Sequence, residues 1–187
     1  MNILTDKLPD TLTIGGREYR ICTDFRVWIR FMQSAMTRHS DMERIALIFC
    51  TVFDEFPEDI GAALNAMMDF CTMSRHEEIG GRGNGARVYD FDADAELIYA
   101  AFLQQYGIDL CETDMHWHKF KALFDNLCGE TQFVRAVQYR STDTSKIKDR
   151  EQRQFVRKMK RLFKLPDNRT DEDRAADFDS AFAGMFM

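Results

Sequence analysis

Three carboxylates stand at alternate positions, Asp90, Asp92 and Asp94, in the pattern that opens a calcium-binding loop. An EF-hand loop also requires a glycine at its sixth position and a bidentate glutamate at its twelfth, which turn the chain and complete the oxygen ligands. This sequence has Ala95 and Ala101 at those two positions. The pattern therefore favours an acidic helix N-terminus over a calcium site.

Two histidines, His116 and His118, lie between Cys111 and Cys128, which raises the question of a zinc site. Structural zinc sites pair their ligands at short spacings that these four residues do not have. If both histidines lay in one helix, their side chains would point about 200° apart, because each residue turns a helix by ~100°. The sequence therefore favours ordinary helix histidines, and we expect no metal or cofactor.

The sequence contains no familiar motif for nucleophilic or phosphate chemistry. Gly81, Gly83 and Gly85 form a loose G-x-G-x-G, but no strand pattern precedes it and no Lys-Ser/Thr pair follows it, as a P-loop requires. There is no G-x-S-x-G elbow, and no cysteine lies in a catalytic signature. We therefore predict that the chain is not an enzyme and that it works by binding other proteins.

Basic side chains are concentrated in one stretch, residues 145–164. It carries Lys146, Lys148, Arg150, Arg153, Arg157, Lys158, Lys160, Arg161 and Lys164 against Asp149 and Glu151. A basic helix can dock an acidic helix or a nucleic acid, although a solvated helix face is the more common reason for such charge. A third interpretation is internal, in which the acidic residues 171–179 fold back on this helix.

Alternating apolar residues predict a β-hairpin over residues 11–24, and helices follow it. Gly15-Gly16 lies between the two arms of the hairpin and supplies the positive φ angles of a two-residue turn. Asp24 has the type and position of an N-cap for a first helix. Ser40 and Glu43 form a capping box for a second helix, and Pro57 opens a third. Later helices are predicted over about residues 90–106, 113–128, 131–140 and 145–164, with Gly107 and Gly129 ending the first two.

Apolar residues at helical spacing predict which side chains are buried. The predicted buried face of the third helix includes Ile60, and that of the last helix includes Phe155 and Leu162. Cys50 and Cys71 lie in apolar helical patterns, which indicates reduced core cysteines in a reducing compartment. The N-terminus lacks the basic and apolar regions of a signal peptide, and no apolar stretch approaches the ~18 residues of a membrane span.

Together these patterns predict a mainly α fold, with one helical domain and a tail. The domain covers residues 1–165, with the hairpin at 11–24, N-terminal helices at 25–73, a flexible glycine-rich loop at 74–87 and C-terminal helices at 88–165. Residues 166–187 form an acidic amphipathic tail. The net charge of −6 repels phosphate backbones and argues against a general nucleic-acid binder.

A family resemblance extends from the hairpin at Leu12 to Leu165. It is carried by YDFDADAELIYAAFLQQYGIDL, MHWHKFKALFDNL, FVRAVQYRSTD and KIKDREQRQFVRKMKRLFKL. The residues that carry the resemblance most specifically are 106–110, His116-Trp117 with Phe120, and Tyr139-Arg140. These segments resemble a family of phage proteins from long-tailed phages and prophages of Gram-positive bacteria. That family is encoded close to the tape-measure gene, in the position of the tail assembly chaperones.

The resemblance implies a helical factor of the host cytoplasm that acts during tail assembly. Such chaperones bind the long helical tape-measure protein, keep its apolar faces from aggregating, help recruit tail-tube subunits and then leave. We therefore expect no catalytic residue, no membrane partner and no place in the mature virion. Self-association is left open. Two rival functions are a nucleic-acid-binding phage accessory protein that uses helix 145–164, and a structural tail or connector component of the virion.

The expected partner-binding surface combines the last helix, the region of Trp117 and the apolar end of the tail. Its residues are Trp117, Phe120, Arg153, Arg157, Lys158, Arg161, Phe178, Phe182 and Phe186. The last three are spaced four apart, which places them on one face if that segment is helical. This stripe either packs on the domain or meets a partner.

Overall fold

The computed structural model describes residues 2–35, 42–73 and 87–166. Within these ranges the chain forms a two-stranded antiparallel hairpin and seven helices, which confirms the predicted mainly α fold. The strands are β1 (Thr11–Ile14) and β2 (Arg17–Arg20). The helices are α1 (Phe25–Ala35), α2 (Met42–Val52), α3 (Ile60–Thr72), α4 (Ala95–Tyr106), α5 (Trp117–Asp125), α6 (Gln132–Ser141) and α7 (Arg150–Leu162). None of these helices combines the length and the apolar character that a membrane crossing requires.

The hairpin closes on Gly15 and Gly16, whose φ angles are +58° and +83°. Positive φ at both central residues matches the twist of the flanking strands, and glycine adopts it without steric cost. Leu12 pairs with Tyr19 across the two strands, and both side chains are buried together with that of Ile14. The predicted hairpin and its turn are therefore confirmed.

Aspartate caps determine where two of the early helices begin. Asp24 accepts a hydrogen bond at 2.8 Å from a backbone N–H in the first turn of α1, as predicted. Asp59 accepts one from the N–H of Ala62 at 2.9 Å, so α3 begins at Ile60. The start predicted at Pro57 is wrong because Asp59, two residues later, satisfies the exposed N–H groups that a helix start must pair.

The later helices α5 and α7 are shorter than predicted. Asn126 is the C-cap of α5, so Gly129 does not end that helix. The carboxylate of Asp149 accepts the N–H of Gln152 at 2.6 Å, and α7 begins one residue after this cap. The capping box predicted at Ser40 lies outside the described residues.

The C-terminal end of α4 is confirmed at Gly107, which has a φ of +65°. A Cβ there would meet nothing within 4 Å, so a side chain would be opposed by the backbone conformation alone. We expect Gly107→Ala to lower the free energy of unfolding by about 1–2 kcal/mol in denaturant titrations. Gly129→Ala is the matched control and should change it by less than about 0.5 kcal/mol. Equal losses in both variants would contradict this account of Gly107.

The two helical halves share one hydrophobic core. Phe120 of α5 stacks on Phe25 of α1 at 4.7 Å between ring centroids, and on Phe102 of α4 at 5.1 Å. Trp28 of α1 packs against Phe70 of α3 at 4.2 Å. Because stacked aromatic rings bury large apolar areas, the contact of Phe120 with Phe25 holds a helix of each half together.

Hydrogen bonds also join the two halves beside this core. The N–H of Phe25 donates to the carbonyl oxygen of Met115 at 3.0 Å, and the N–H of Trp117 donates to that of Thr23 at 2.7 Å. The guanidinium of Arg26 donates to three carbonyl oxygens in the loop between α4 and α5. The start of α5 is therefore fixed against α1. Of the loop predicted at 74–87, residues 74–86 lie outside the described residues.

Two side chains of the N-terminal helices that were predicted to be buried lie at the surface instead. Ile60 is exposed because it occupies the first position of α3, and Cys50 is exposed on α2. Cys71 is buried as predicted, and its burial raises the pKa of the thiol. All five cysteines are free.

Candidate partner-binding surface

One side of α7 is fixed to the rest of the domain. Val156 is buried, and the ring of Phe163 stacks on that of Tyr139 from α6, with 6.1 Å between centroids. The Nζ of Lys160 donates to the carbonyl oxygen of Thr142 at 2.8 Å. These contacts hold α7 in one orientation and leave its opposite side to solvent.

Arg140 of α6 ties the end of α7 to the start of α4. Its Nη1 and Nη2 donate to the two carboxylate oxygens of Asp94 at 2.7 and 2.8 Å. The same guanidinium donates to the carbonyl oxygens of Val88 and Phe163. Asp94 is only 1% exposed. Two parallel N–H bonds to one carboxylate fix geometry as well as charge, so this pair positions α7.

Two of the three carboxylates considered for calcium, those of Asp90 and Asp94, are engaged within the protein, whereas Asp92 is exposed. The Oδ1 of Asp90 accepts the N–H groups of Asp92 and Ala93 at 2.9 and 2.8 Å, and its Oδ2 accepts from Arg87. The carboxylate of Asp94 also accepts the N–H of Asp90. These side chains therefore organise the approach to α4. Across the described ranges, no group of three or more His, Cys, Asp or Glu is placed to hold a metal ion.

Arg157, Lys158 and Arg161 form an exposed basic strip on α7. Within the described part of the chain, their side chains have no hydrogen-bond or ion-pair partner. Arg153, also predicted for the surface, differs because its Nε and Nη2 donate to two carbonyl oxygens of the preceding loop at 2.8 and 3.0 Å. Arg153 therefore fastens that loop, whereas the strip offers charge that an acidic partner would neutralise.

Two large apolar side chains lie along one edge of the basic strip: Phe155 is 53% exposed and Leu162 is 69% exposed. They are seven residues apart, about two helical turns, and so lie on the same side of α7. The prediction that both are buried is wrong because the domain covers only the side of α7 that carries Val156. Phe155 keeps an edge contact with Tyr139 at 6.1 Å. We name the exposed side of α7 that carries Phe155, Leu162, Lys158, Arg161 and Arg157 the α7 outer face, with Phe155 and Leu162 along one edge and Arg157 at the other.

Trp117 and Phe120, predicted as partner-binding residues, lie in the core at 1% and 0% exposure. The indole N–H of Trp117 donates to the carbonyl oxygen of Cys71 at 3.1 Å. Both side chains therefore stabilise the packing of α5 and are not part of an exposed surface. The remaining predicted contacts, Phe178, Phe182 and Phe186, lie outside the described residues.

His116 and His118 lie together, contrary to the prediction that they would point apart. Their ring centroids are 5.0 Å apart. His116 is not in the helix but is the N-cap of α5, with extended backbone, and its Nδ1 accepts the N–H of His118 at 3.0 Å. The Nε2 atoms of His116 and His118 contact the carbonyl oxygens of Pro9 and Phe70, respectively. The two rings thus join α5 to two other segments.

The pKa values of the two histidines predict how the stability of the folded chain depends on pH. Burial lowers the pKa of His116 and of His118 below the ordinary value of 6.5. Because the unfolded chain then binds protons more readily than the folded one, stability is full above pH 6.5 and is lost as the pH falls towards the lowered pKa values. We expect the midpoint temperature of thermal unfolding to decrease as the pH is lowered from about 7.5 to about 5.5.

The control for this pH dependence is the double variant His116→Asn/His118→Gln. Asparagine retains an N-cap acceptor and neither new side chain titrates, so the loss of stability over this interval should shrink. An unchanged pH profile in the double variant would assign the effect to other groups.

Two further exposed apolar side chains, Leu47 of α2 and Phe56 after it, were not predicted. Their exposures of 68% and 54% match those of Leu162 and Phe155. Phe56 contacts Phe49 at 5.4 Å, much as Phe155 contacts Tyr139. The residues before Phe56 are acidic, Asp54 and Glu55. Leu47 and Phe56 therefore provide a comparison for Leu162 and Phe155 that is matched in side-chain type and exposure.

A known protein family matches most of the chain. The family model described as Bacteriophage Gp15 protein matches residues 4–165. The match begins before β1 and ends after α7, so it includes the α7 outer face and excludes the residues from Pro166 onward. No curated protein and no solved structure matches the chain significantly.

Proposed function

The chain belongs to the bacteriophage Gp15 protein family, and from this premise we propose that it is a tail assembly chaperone. In this role it binds the tape-measure protein, shields the apolar stripes of that client and helps recruit tail-tube subunits, without catalysing a reaction. It acts in the host cytoplasm and leaves before the virion is complete. The sequence resemblance supports this choice of client, and the α7 outer face offers a surface for it.

The α7 outer face is the observation that favours a protein client. A helix fixed on one side presents Phe155 and Leu162 to solvent, with Lys158 on the turn between them. Contiguous exposed apolar patches with a polar rim mark sites of protein interaction. An amphipathic helix would bind here through an apolar stripe of residues three, four and seven apart. Acidic residues beside that stripe would neutralise the basic strip.

A chaperone that leaves the finished particle must bind each site only moderately. A long helical client repeats its apolar stripes, so many copies can bind along it with modest affinity for each contact. Linked sites on one client raise the overall occupancy without new contacts at any single site. The α7 outer face has two exposed apolar side chains, Phe155 and Leu162, which agrees with such weak individual binding.

Co-expression tests the proposed function directly. The chain is produced together with overlapping fragments of the tape-measure protein from the same phage, and the soluble fraction of each fragment is measured. We expect at least one fragment to move from the pellet to the soluble fraction, because its apolar stripes are covered. An unrelated helical protein at the same expression level is the control. If every fragment pellets equally with and without the chain, the chaperone proposal fails.

A nucleic acid is the second candidate partner, favoured by the unpartnered Arg157, Lys158 and Arg161. Phosphate contacts release counterions, so such binding must weaken steeply as salt rises. The exposed Phe155 and Leu162 have no role in contacts with a phosphate backbone. Absence of binding to duplex and single-stranded nucleic acid at low salt would remove this candidate.

A structural tail or connector component is the remaining alternative. It differs from a chaperone in its fate, because a structural subunit stays in the particle. Mass spectrometry of purified virions separates the two functions. We expect tape-measure and tail-tube peptides in the particle and none from this chain, and a stoichiometric amount of this chain would contradict the proposal.

A further inference from the structure

The described part of the chain ends beside α7, and residues 167–187 continue from there. The carbonyl oxygen of Pro166 accepts a hydrogen bond from Nη2 of Arg87 at 3.1 Å, and that of Phe163 accepts one from Arg140. These contacts fix the point from which residues 167–187 start. This segment therefore begins within one helix length of the whole α7 outer face.

The sequence of residues 167–187 is complementary to that face in charge and in apolar pattern. Its acidic residues are Asp167, Asp171, Glu172, Asp173, Asp177 and Asp179, against Arg169 and Arg174. Its apolar residues include Phe178, Phe182 and Phe186, spaced four apart. The α7 outer face presents the opposite combination: the unpartnered cations Lys158 and Arg161 lie beside Phe155 and Leu162, with Arg157 further round the helix.

We infer that residues 167–187 dock on the α7 outer face of the same chain when no client is bound. The phenylalanine stripe covers Phe155 and Leu162, and the acidic residues lie against the neighbouring Lys158 and Arg161. The length suffices, because α7 has 13 residues and is about 20 Å long, whereas residues 167–187 would form a helix of about 30 Å. A short tether keeps the segment at an effective concentration in the millimolar range, so even weak contacts hold it in place.

This docking has a consequence for the client, which rests on the proposed function. A tape-measure helix must displace residues 167–187 before it can bind the same face. The segment then acts as a competitor that covers the apolar residues until a client replaces it. Because the family match ends at residue 165, this competitor belongs to the present chain and not to the matched family region.

The docking is tested in the full chain with a zero-length carbodiimide cross-linker, which joins a lysine amine only to a carboxylate in contact with it. We expect links between Lys158 and the acidic residues 171–179, and none from those residues to the exposed Lys119 of α5. Mixing isotope-labelled and unlabelled chains shows whether the links form within one chain. Links found mainly between chains would overturn intramolecular docking in favour of a second copy.

The variant Phe155→Ser/Leu162→Ser distinguishes docking through apolar contacts from a purely electrostatic attraction between the tethered acidic segment and nearby cations. This variant keeps every charge of the α7 outer face. If charge alone held residues 167–187, the cross-links would be unchanged, and that result would contradict the inference. Docking through the apolar stripe predicts a loss of these links of about tenfold or more, because both changes remove apolar area from the contact. The control Leu47→Ser/Phe56→Ser should leave them unchanged, and an equal loss there would also overturn the inference.

The variant Phe178→Ser/Phe182→Ser/Phe186→Ser tests the docking inference and the proposed function independently of each other. If residues 167–187 compete with the client, this variant binds tape-measure fragments more tightly than the unmodified chain. Another outcome is that the unmodified chain shows the cross-links but neither it nor the variant binds any tape-measure fragment. That outcome would support the docking and reject the chaperone function. Equal fragment binding by both proteins would reject the competition.

Discussion

Arg140→Ala is expected to lower the free energy of unfolding by about 3–5 kcal/mol, the range found when one member of a buried ion pair is removed. The carboxylate of Asp94 is 1% exposed, so the variant leaves a buried charge without its partner. The carbonyl oxygens of Val88 and Phe163 lose a donor at the same time. Because a domain is stable by only about 5–15 kcal/mol, urea titration should show a much lower midpoint.

The matched control for this prediction is Arg135→Ala, also on α6. The side chain of Arg135 is exposed and has no ion-pair partner within the described ranges, so the change should stay within about 0.5 kcal/mol. Arg140→Lys should recover only part of the loss, because an ammonium group cannot make two parallel bonds to Asp94. If Arg140→Ala unfolded at the same urea concentration as Arg135→Ala, the pair would not hold α7 in place.

Phe155→Ser/Leu162→Ser is expected to weaken the binding of tape-measure fragments by about thirtyfold or more, with little change in stability. Central apolar contacts of an interface cost more than about 1 kcal/mol each when truncated, and 1.4 kcal/mol is a tenfold change in affinity. Both side chains are exposed, so the folded domain loses little by the change. Titration of purified chain with a labelled fragment measures the affinity.

The control variant Leu47→Ser/Phe56→Ser removes the same two side-chain types at matched exposure. It should bind fragments like the unmodified chain, and a greater loss there would move the client site to the α2–α3 side. The α7 variant retains Arg157, Lys158 and Arg161, so it also separates the two candidate partners. Retention of nucleic-acid binding together with loss of client binding would assign the apolar residues to the protein client.

Local signals in the sequence were sufficient for the turns and for several helix ends. Gly15-Gly16 and Gly107 were predicted correctly because positive φ angles strongly favour glycine. The start of α3 was missed because Pro57 and Asp59 are both favourable near a helix start, and only the folded chain shows which one is the cap. Local preferences therefore placed the elements well and their boundaries less well.

The arrangement of the candidate surface could not be predicted, because it depends on contacts between distant residues. Arg140 and Asp94 meet across 46 positions of the sequence, and no local pattern signals that pairing. Phe155 and Leu162 have the spacing of a buried stripe, yet the domain covers only the side of α7 that carries Val156. Trp117 is equally suited to a core or to an interface, and only its contacts with Cys71 and Phe120 place it in the core.

The most direct test of the account places a photo-reactive probe on the α7 outer face. In the full chain, Phe155→benzoylphenylalanine is compared with Phe56→benzoylphenylalanine, because these positions are 53% and 54% exposed. Each protein is mixed with a soluble tape-measure fragment and irradiated, and the cross-linked product is sequenced by mass spectrometry. We expect the probe at position 155 to capture the fragment and the probe at position 56 not to. Capture at position 56 alone, or at neither position in a complex that has formed, would contradict the assignment of the α7 outer face as the client site.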